Sequence, residues 1–191
     1  MKFIITIVLT CVIFSLYAQE KYNDPLYPES NTVNATNFKI DNGSLVWQKI
    51  YESKLTPTAI VKKLKADGKI KNIDFSENLL TGELNIPADY KNAGFSEMST
   101  PMYISRNDIL CSVTINFKEN RYRVTLKNIR LKTTQEDPLS KVGETANLDS
   151  YALKKKNSEF KAQFLNVPGK IYDYTFNQVF EIETKTEDDN W

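Results

Sequence analysis

The sequence predicts an α+β fold built around one antiparallel hairpin, and three observations carry that prediction. Residues 109–131 hold two alternating segments, strand-like segments and a short helix precede them, and helical spacing returns near the C-terminus. On the first hairpin strand Cys111, Val113, Ile115 and Phe117 alternate with Ser112, Thr114, Asn116 and Lys118. On the second, Tyr122, Val124 and Leu126 alternate with Arg121, Arg123, Thr125 and Lys127. A two-residue turn at Glu119 and Asn120 pairs Phe117 with Tyr122, Ile115 with Val124 and Val113 with Leu126. That register gathers every apolar side chain on one face, and a one-residue slip would divide them. Asn at the turn centre tolerates the positive φ that hairpin turns require.

Taken in order, residues 1–18 read as a signal peptide: Lys2 gives a positive start, Phe3 to Leu16 an apolar run, and Ala18 a small residue for cleavage before Gln19. The run is short for a membrane span, and no later stretch is long enough, so the mature chain is expected to lack a transmembrane segment. Cys11 follows Thr10 rather than a small residue and sits inside the apolar run, which argues against a lipid anchor there. Residues 19–43 are polar and carry Pro25 and Pro28, and they read as an irregular N-terminal arm. A single α+β domain is expected over 44–183, followed by an acidic tail at 184–191.

Within that domain Leu45 to Tyr51 reads as the first strand. Thr56 and Pro57 look like an N-cap and first helical residue, with Ile60, Val61 and Leu64 as the apolar side and Gly68 as the stop. Lys69 to Phe75 and Leu79 to Ile86 follow as two strands around a turn at 76–78. On the second, Leu80, Leu84 and Ile86 share a face, and Gly82 among them marks a bulge or a close backbone approach. Residues 87–108 form a long connection, either functional, mobile or hiding a strand at Met102 to Ser105. Residues 132–148 read as irregular, 149–165 as weakly helical, and 171–182 as a helix with Tyr172, Phe176, Val179 and Phe180 on one side.

Phe117-Lys118-Glu119-Asn120-Arg121-Tyr122-Arg123-Val124-Thr125, with Asn128 and Ile129 just after, resembles the Lys-Asp-Gly-Arg-Tyr-Arg hairpin of an exported bacterial family of unknown function. Val46 to Tyr51 resembles that family's opening strand, and Gly82 its strand glycine. The resemblance spans roughly residues 44–131, and Glu119-Asn120 stands where the family has Asp-Gly. It implies a TATA-binding-protein-like fold, a curved antiparallel sheet with helices on one face. It brings no catalytic residue, and a fold alone does not assign a function.

Composition excludes more than it assigns. The chain has no His, which removes Ser-His and Cys-His catalysis and imidazole metal ligands. Cleavage leaves Cys111 alone, so no intramolecular disulfide can form. The formal charge is +1 for the whole chain, which gives no global attraction to nucleic acid or acidic lipid. Ser158 and Lys161 have the Ser-x-x-Lys spacing of penicillin-recognising enzymes, but the companion Ser-Asp-Asn and Lys-Thr-Gly elements are missing. The glycines are scattered, with no phosphate loop. Asp74, Glu77 and Glu83 cluster in sequence, yet their spacing singles out no acid–base pair.

Two surfaces remain as candidate binding sites. Lys118, Arg121, Arg123 and Lys127 share the polar face of the central hairpin, a cationic face suited to anionic groups. The 87–108 loop carries Tyr90, Phe95 and Tyr103, and at least two of them are expected to stand exposed beside a shallow groove. The chain thus reads as an exported, periplasmic or extracellular, non-enzymatic binding or accessory module without cofactor or metal. An envelope protein or a glycan is the expected partner, and nucleic acid is not. A carboxylate-dependent hydrolase such as a glycosidase is the runner-up.

Overall fold

A computed structural model describes residues 36–136 and 141–182. The signal segment, most of the N-terminal arm and the acidic tail lie outside the described residues. The strands are β1 (Phe38–Asp41), β2 (Ser44–Glu52), β3 (Ile70–Ser76), β4 (Leu79–Pro87), β5 (Asn107–Lys118), β6 (Arg121–Thr133) and β7 (Thr145–Asn147). The helices are α1 (Pro57–Asp67), the single turns α2 (Met102–Ser105) and α3 (Asp149–Ala152), then α4 (Ala162–Asn166) and α5 (Pro168–Phe180). Among the described residues these strands make one open antiparallel sheet, ordered β1-β2-β6-β5-β4-β3, with β7 beside the far half of β6. The fold is α+β, with the helices on one face of the sheet.

The central hairpin takes the register its alternation dictates: Phe117 opposite Tyr122, Ile115 opposite Val124, Val113 opposite Leu126. All six are buried. Asn120 turns the chain at φ 56°. Next to this core strand, β2 presents Trp47 and Tyr51 to the same side, opposite Leu126 and Tyr122. α5 packs over them. Phe176 meets the Trp47 ring edge-on at 5.4 Å, and the Tyr122 hydroxyl donates to the Phe180 carbonyl at 2.6 Å.

One carboxylate fastens that helix to the sheet. Asp173 Oδ1 accepts from Trp47 Nε1 at 2.7 Å and from both the backbone N and Nδ2 of Asn37 at 2.9 Å. One turn later, Asn177 Oδ1 accepts from Lys49 Nζ and the Tyr51 hydroxyl. Pro168 and Gly169, read as an interruption, instead open α5, because proline at the first helical position loses no hydrogen bond. The cap and stop of α1 are those the sequence predicts: Thr56 accepts from Ala59 N, and Gly68 ends the helix at φ 70°.

Three departures from the sequence reading matter for function. Residues 38–41 are a strand rather than an irregular arm, paired with β2 through an Asn42-Gly43 turn whose φ values are 50° and 74°. Met102 to Ser105 is a helical turn, not a strand. Finally, β6 runs on to Thr133, and β7 forms within the stretch read as irregular.

Candidate binding site

Two bulges set which side chains reach the helix-free face. In β6, Lys127 pairs with Ser112 and Arg130 with Leu110, so β6 spends one extra residue there. Asn128, at φ 54°, absorbs it. The phase of the strand then changes: Ile129 and Leu131 continue the buried row begun by Tyr122, Val124 and Leu126, and Arg130 and Lys132 fall outward. β3 does the same beside β4. Asn72, at φ 52°, is the extra residue between Lys71, opposite Glu83, and Asp74, opposite Thr81. Gly82 lies against this bulge, where a Cβ would come 2.7 Å from Ile70 Cγ2 and 3.1 Å from the Lys71 carbonyl oxygen. This is the close approach the lone strand glycine foretold. A depression of about 400 Å³ lies over the two bulges, with Asn72, Glu83, Ser112, Asn128 and Arg130 in its walls.

The outward positions of β6 are therefore Arg121, Arg123, Thr125, Lys127, Arg130 and Lys132: five cations and one threonine along one central strand. Of the four cations expected from the sequence, Lys118 and Arg121 face each other at the hairpin end, with Glu52 opposite Arg121 on the other side. Lys127 is held by Asp41 at 3.0 Å. Arg123 lies midway, makes one long contact of 3.4 Å to Asn116 Oδ1, and keeps its Nε buried without a hydrogen-bond partner among the described residues. An unpartnered buried guanidinium nitrogen is costly.

Lys39 completes this centre. It comes from the segment read as an irregular arm, and its Nζ donates to Gln48 Oε1 at 2.7 Å while Gln48 Nε2 donates to Thr125 Oγ1 at 2.9 Å. Burial lowers its pKa, opposed by Asp41 and reinforced by the positive charges of Arg123 and Lys127. The signal for Lys39 was present in the sequence. Phe38 and Ile40 alternate before Asn-Gly, and Leu45 and Trp47 after it, which is the strongest short-range hairpin pattern. The centre of the face is thus cationic, surrounded by hydroxyls and amides in the register row Thr81–Thr114–Thr125–Gln48. The strand aromatics Phe38, Trp47, Tyr51, Phe75, Phe117 and Tyr122 all join the core on the other face.

The loop candidates are placed differently. Tyr90, Phe95 and Tyr103 are each half-buried against the core. The loop is ordered by its own bonds: Phe95 N donates to the Tyr90 carbonyl, Ser96 caps a 3-10 turn at Glu97–Ser99, and Asp89 N donates to Thr175 Oγ1 of α5. The large apolar side chains it exposes are Met98 and Met102. Of the three aromatics, Tyr103 lines a groove, stacked on Tyr151 with ring centroids 4.3 Å apart.

The chemical candidates are occupied otherwise. Cys111 is buried, and burial alone pushes its thiol up to about 12, so it is a small apolar core residue without thiolate character. Ser158 sits in an exposed turn, while Lys161 Nζ donates to the Ser150 carbonyl at 2.6 Å. Glu83 accepts from Asn72 Nδ2 at 2.9 Å. Among the described residues no three His, Cys, Asp or Glu side chains converge to hold a metal, and no helix is long and apolar enough to cross a membrane.

No family model matches the chain, and no curated protein matches it. Two solved structures do. A TBP-like protein from Parabacteroides distasonis is 15% identical, with 75% of this chain and 94% of the other covered at a TM-score of 0.43. A DUF4468 family protein from Bacteroides ovatus is 16% identical, with 83% and 98% covered at a TM-score of 0.44. The solved proteins to which this chain is similar are thus of the fold and the kind, a bacterial domain of unknown function, that its central hairpin resembles.

Proposed function

We propose that this chain is an exported, non-enzymatic binding module whose helix-free sheet face takes an anionic group of its partner. The observation that carries the reading is Arg123: a cation in the middle of an open face, with one long hydrogen bond to Asn116 and with Lys39 and Lys127 close by. A carboxylate, sulfate or phosphate there would accept from the guanidinium and relieve the mutual repulsion of the three cations. The surrounding hydroxyls and amides suit a hydroxyl-rich carrier of that group, such as an acidic glycan. Single-stranded nucleic acid binding leans on stacked aromatics, and the strand aromatics all lie on the other face. The apolar start of the chain supports export.

The test uses protein recovered after secretion, whose intact mass should correspond to a chain beginning at Gln19. Binding to polygalacturonate, heparin and polyphosphate is then measured at two salt concentrations. At least one polyanion should bind, more weakly at high salt, and Arg123→Gln combined with Lys39→Gln should lose about tenfold or more in affinity. Retention of full affinity by the double variant, or failure of the wild type to bind all three, would sink the assignment.

A further inference from the structure

At the end of the sheet away from the Glu119–Asn120 turn, a separate groove of about 380 Å³ opens among α2, the β6–β7 ladder and α3. That volume lies within the usual range for small-ligand sites, roughly 300–1,000 Å³. Its walls include Tyr103, Tyr151, Arg106, Asn107, Gln135 and Glu144. Tyr103 and Tyr151 come from different helical turns and stack nearly parallel, 24° apart. Their placement is fixed from both sides. Asn107 Nδ2 donates to the Tyr103 carbonyl at 3.0 Å, and Leu148 N, just before α3, donates to the Ile129 carbonyl at 3.0 Å.

The composition of the walls narrows the ligand. Arg106 and Glu144 bring opposite charges, so the groove selects no net charge. Asn107, Gln135, Thr133 and Thr145 offer both donors and acceptors, which a purely apolar occupant would leave without partners. Both rings of the tyrosine pair line the groove and add apolar area to its wall. A molecule with an apolar side and a rim of hydroxyls answers all three conditions. We propose that this groove is a saccharide subsite, holding one neutral pyranose unit against the Tyr103–Tyr151 pair with its hydroxyls turned to Asn107, Gln135 and Glu144. The site is remote in the sheet from Arg123, and the inference stands without the anionic-group reading above.

The experiment titrates the isotope-labelled processed chain, residues 19–191, with cello-, xylo-, manno- and chito-tetraose while amide shifts are recorded. Adenosine monophosphate and a tyrosine-containing tetrapeptide serve as comparison probes. At least one tetrasaccharide should shift amides around 103–107, 133–135 and 144–151, and neither comparison probe should match it. Tyr151→Ala should weaken that binding about tenfold or more, as loss of an aromatic anchor does. Because that change also touches the core, Gln135→Ala and Glu144→Gln, both at exposed positions, provide the second arm, each with a several-fold loss. Arg123→Gln should leave the sugar titration unchanged, which separates the two sites. The proposal fails if no tetrasaccharide shifts these amides, if the nucleotide or peptide binds there more tightly, or if Gln135→Ala and Glu144→Gln both bind as the wild type does.

Discussion

Asparagine does in this chain what glycine does in many others. Asn42, Asn72, Asn120, Asn128 and Asn157 all hold φ between 50° and 56°, at two hairpin turns, two bulges and a surface turn. Among non-glycine residues asparagine adopts this region most readily, because its short polar side chain can bond locally. Asn128 has the largest consequence, since it decides whether Ile129 and Leu131 or Arg130 and Lys132 enter the core. Asn128→Gly should leave stability within ~0.5 kcal/mol, as a surface change without strain does. Asn128→Ile should cost about 1–2 kcal/mol or more, the penalty of a left-handed conformation for a branched residue. Urea unfolding of the two variants checks the contrast, and equal midpoints would mean that the bulge is not anchored at Asn128.

At the scale of elements, the alternation of β5 makes a sharp prediction about neighbours in sequence. Ile115 is fully buried against Leu80 and Val124, whereas Thr114 stands on the helix-free face between Thr81 and Thr125. Ile115→Ala should therefore cost about 2–5 kcal/mol, the usual range for a buried large-to-small change. Thr114→Ala should cost well under ~1 kcal/mol. Comparable losses at both positions would overturn the register.

The same elements show what could be read without coordinates. The central hairpin, α1 with its cap and stop, and β3–β4 around Gly82 were legible because period, turn chemistry and capping agree in each. β1 was hidden by its shortness and by polar neighbours, although the Asn42-Gly43 pair announced it. The change of phase in β6 was hidden for a different reason. A bulge shifts the alternation by one residue, so the apolar pattern breaks at Asn128 although the strand runs on to Thr133. Two of the five outward cations, Arg130 and Lys132, went unseen with it. Tyr151 carried no local signal, because its pairing with Tyr103 joins two single helical turns 48 residues apart in sequence.

Over the whole molecule, tyrosine and Cys111 bind the core to pH. Burial pushes Tyr122 and Tyr103 up to about 12, raises Tyr51 further still and Tyr172 well above the ordinary value, and takes Cys111 to about 12. In the unfolded chain these groups titrate near their ordinary values, about 8.5 for Cys and about 10 for Tyr. Between the unfolded and folded values the native state holds more protons than the unfolded state, so stability falls as pH rises. The protective contribution is complete below about pH 8 and is lost through the window from about 8.5 to 12, at up to ~1.4 kcal/mol per pH unit for each fully buried group and less for the half-buried Tyr103. These groups lie on β2, β5, β6, α2 and α5, so their ionisation strikes the sheet and its helical cover together. With no His in the chain, no imidazole titration adds a slope near neutrality. Urea midpoints should therefore be level from pH 6.5 to 8 and then decline steeply above about pH 9. Cys111→Ala should lower the whole curve through its lost packing, yet flatten its first part, because the earliest-titrating group is gone. A midpoint at pH 10.5 equal to that at pH 7.5 would show that these phenols and this thiol are not buried together as described.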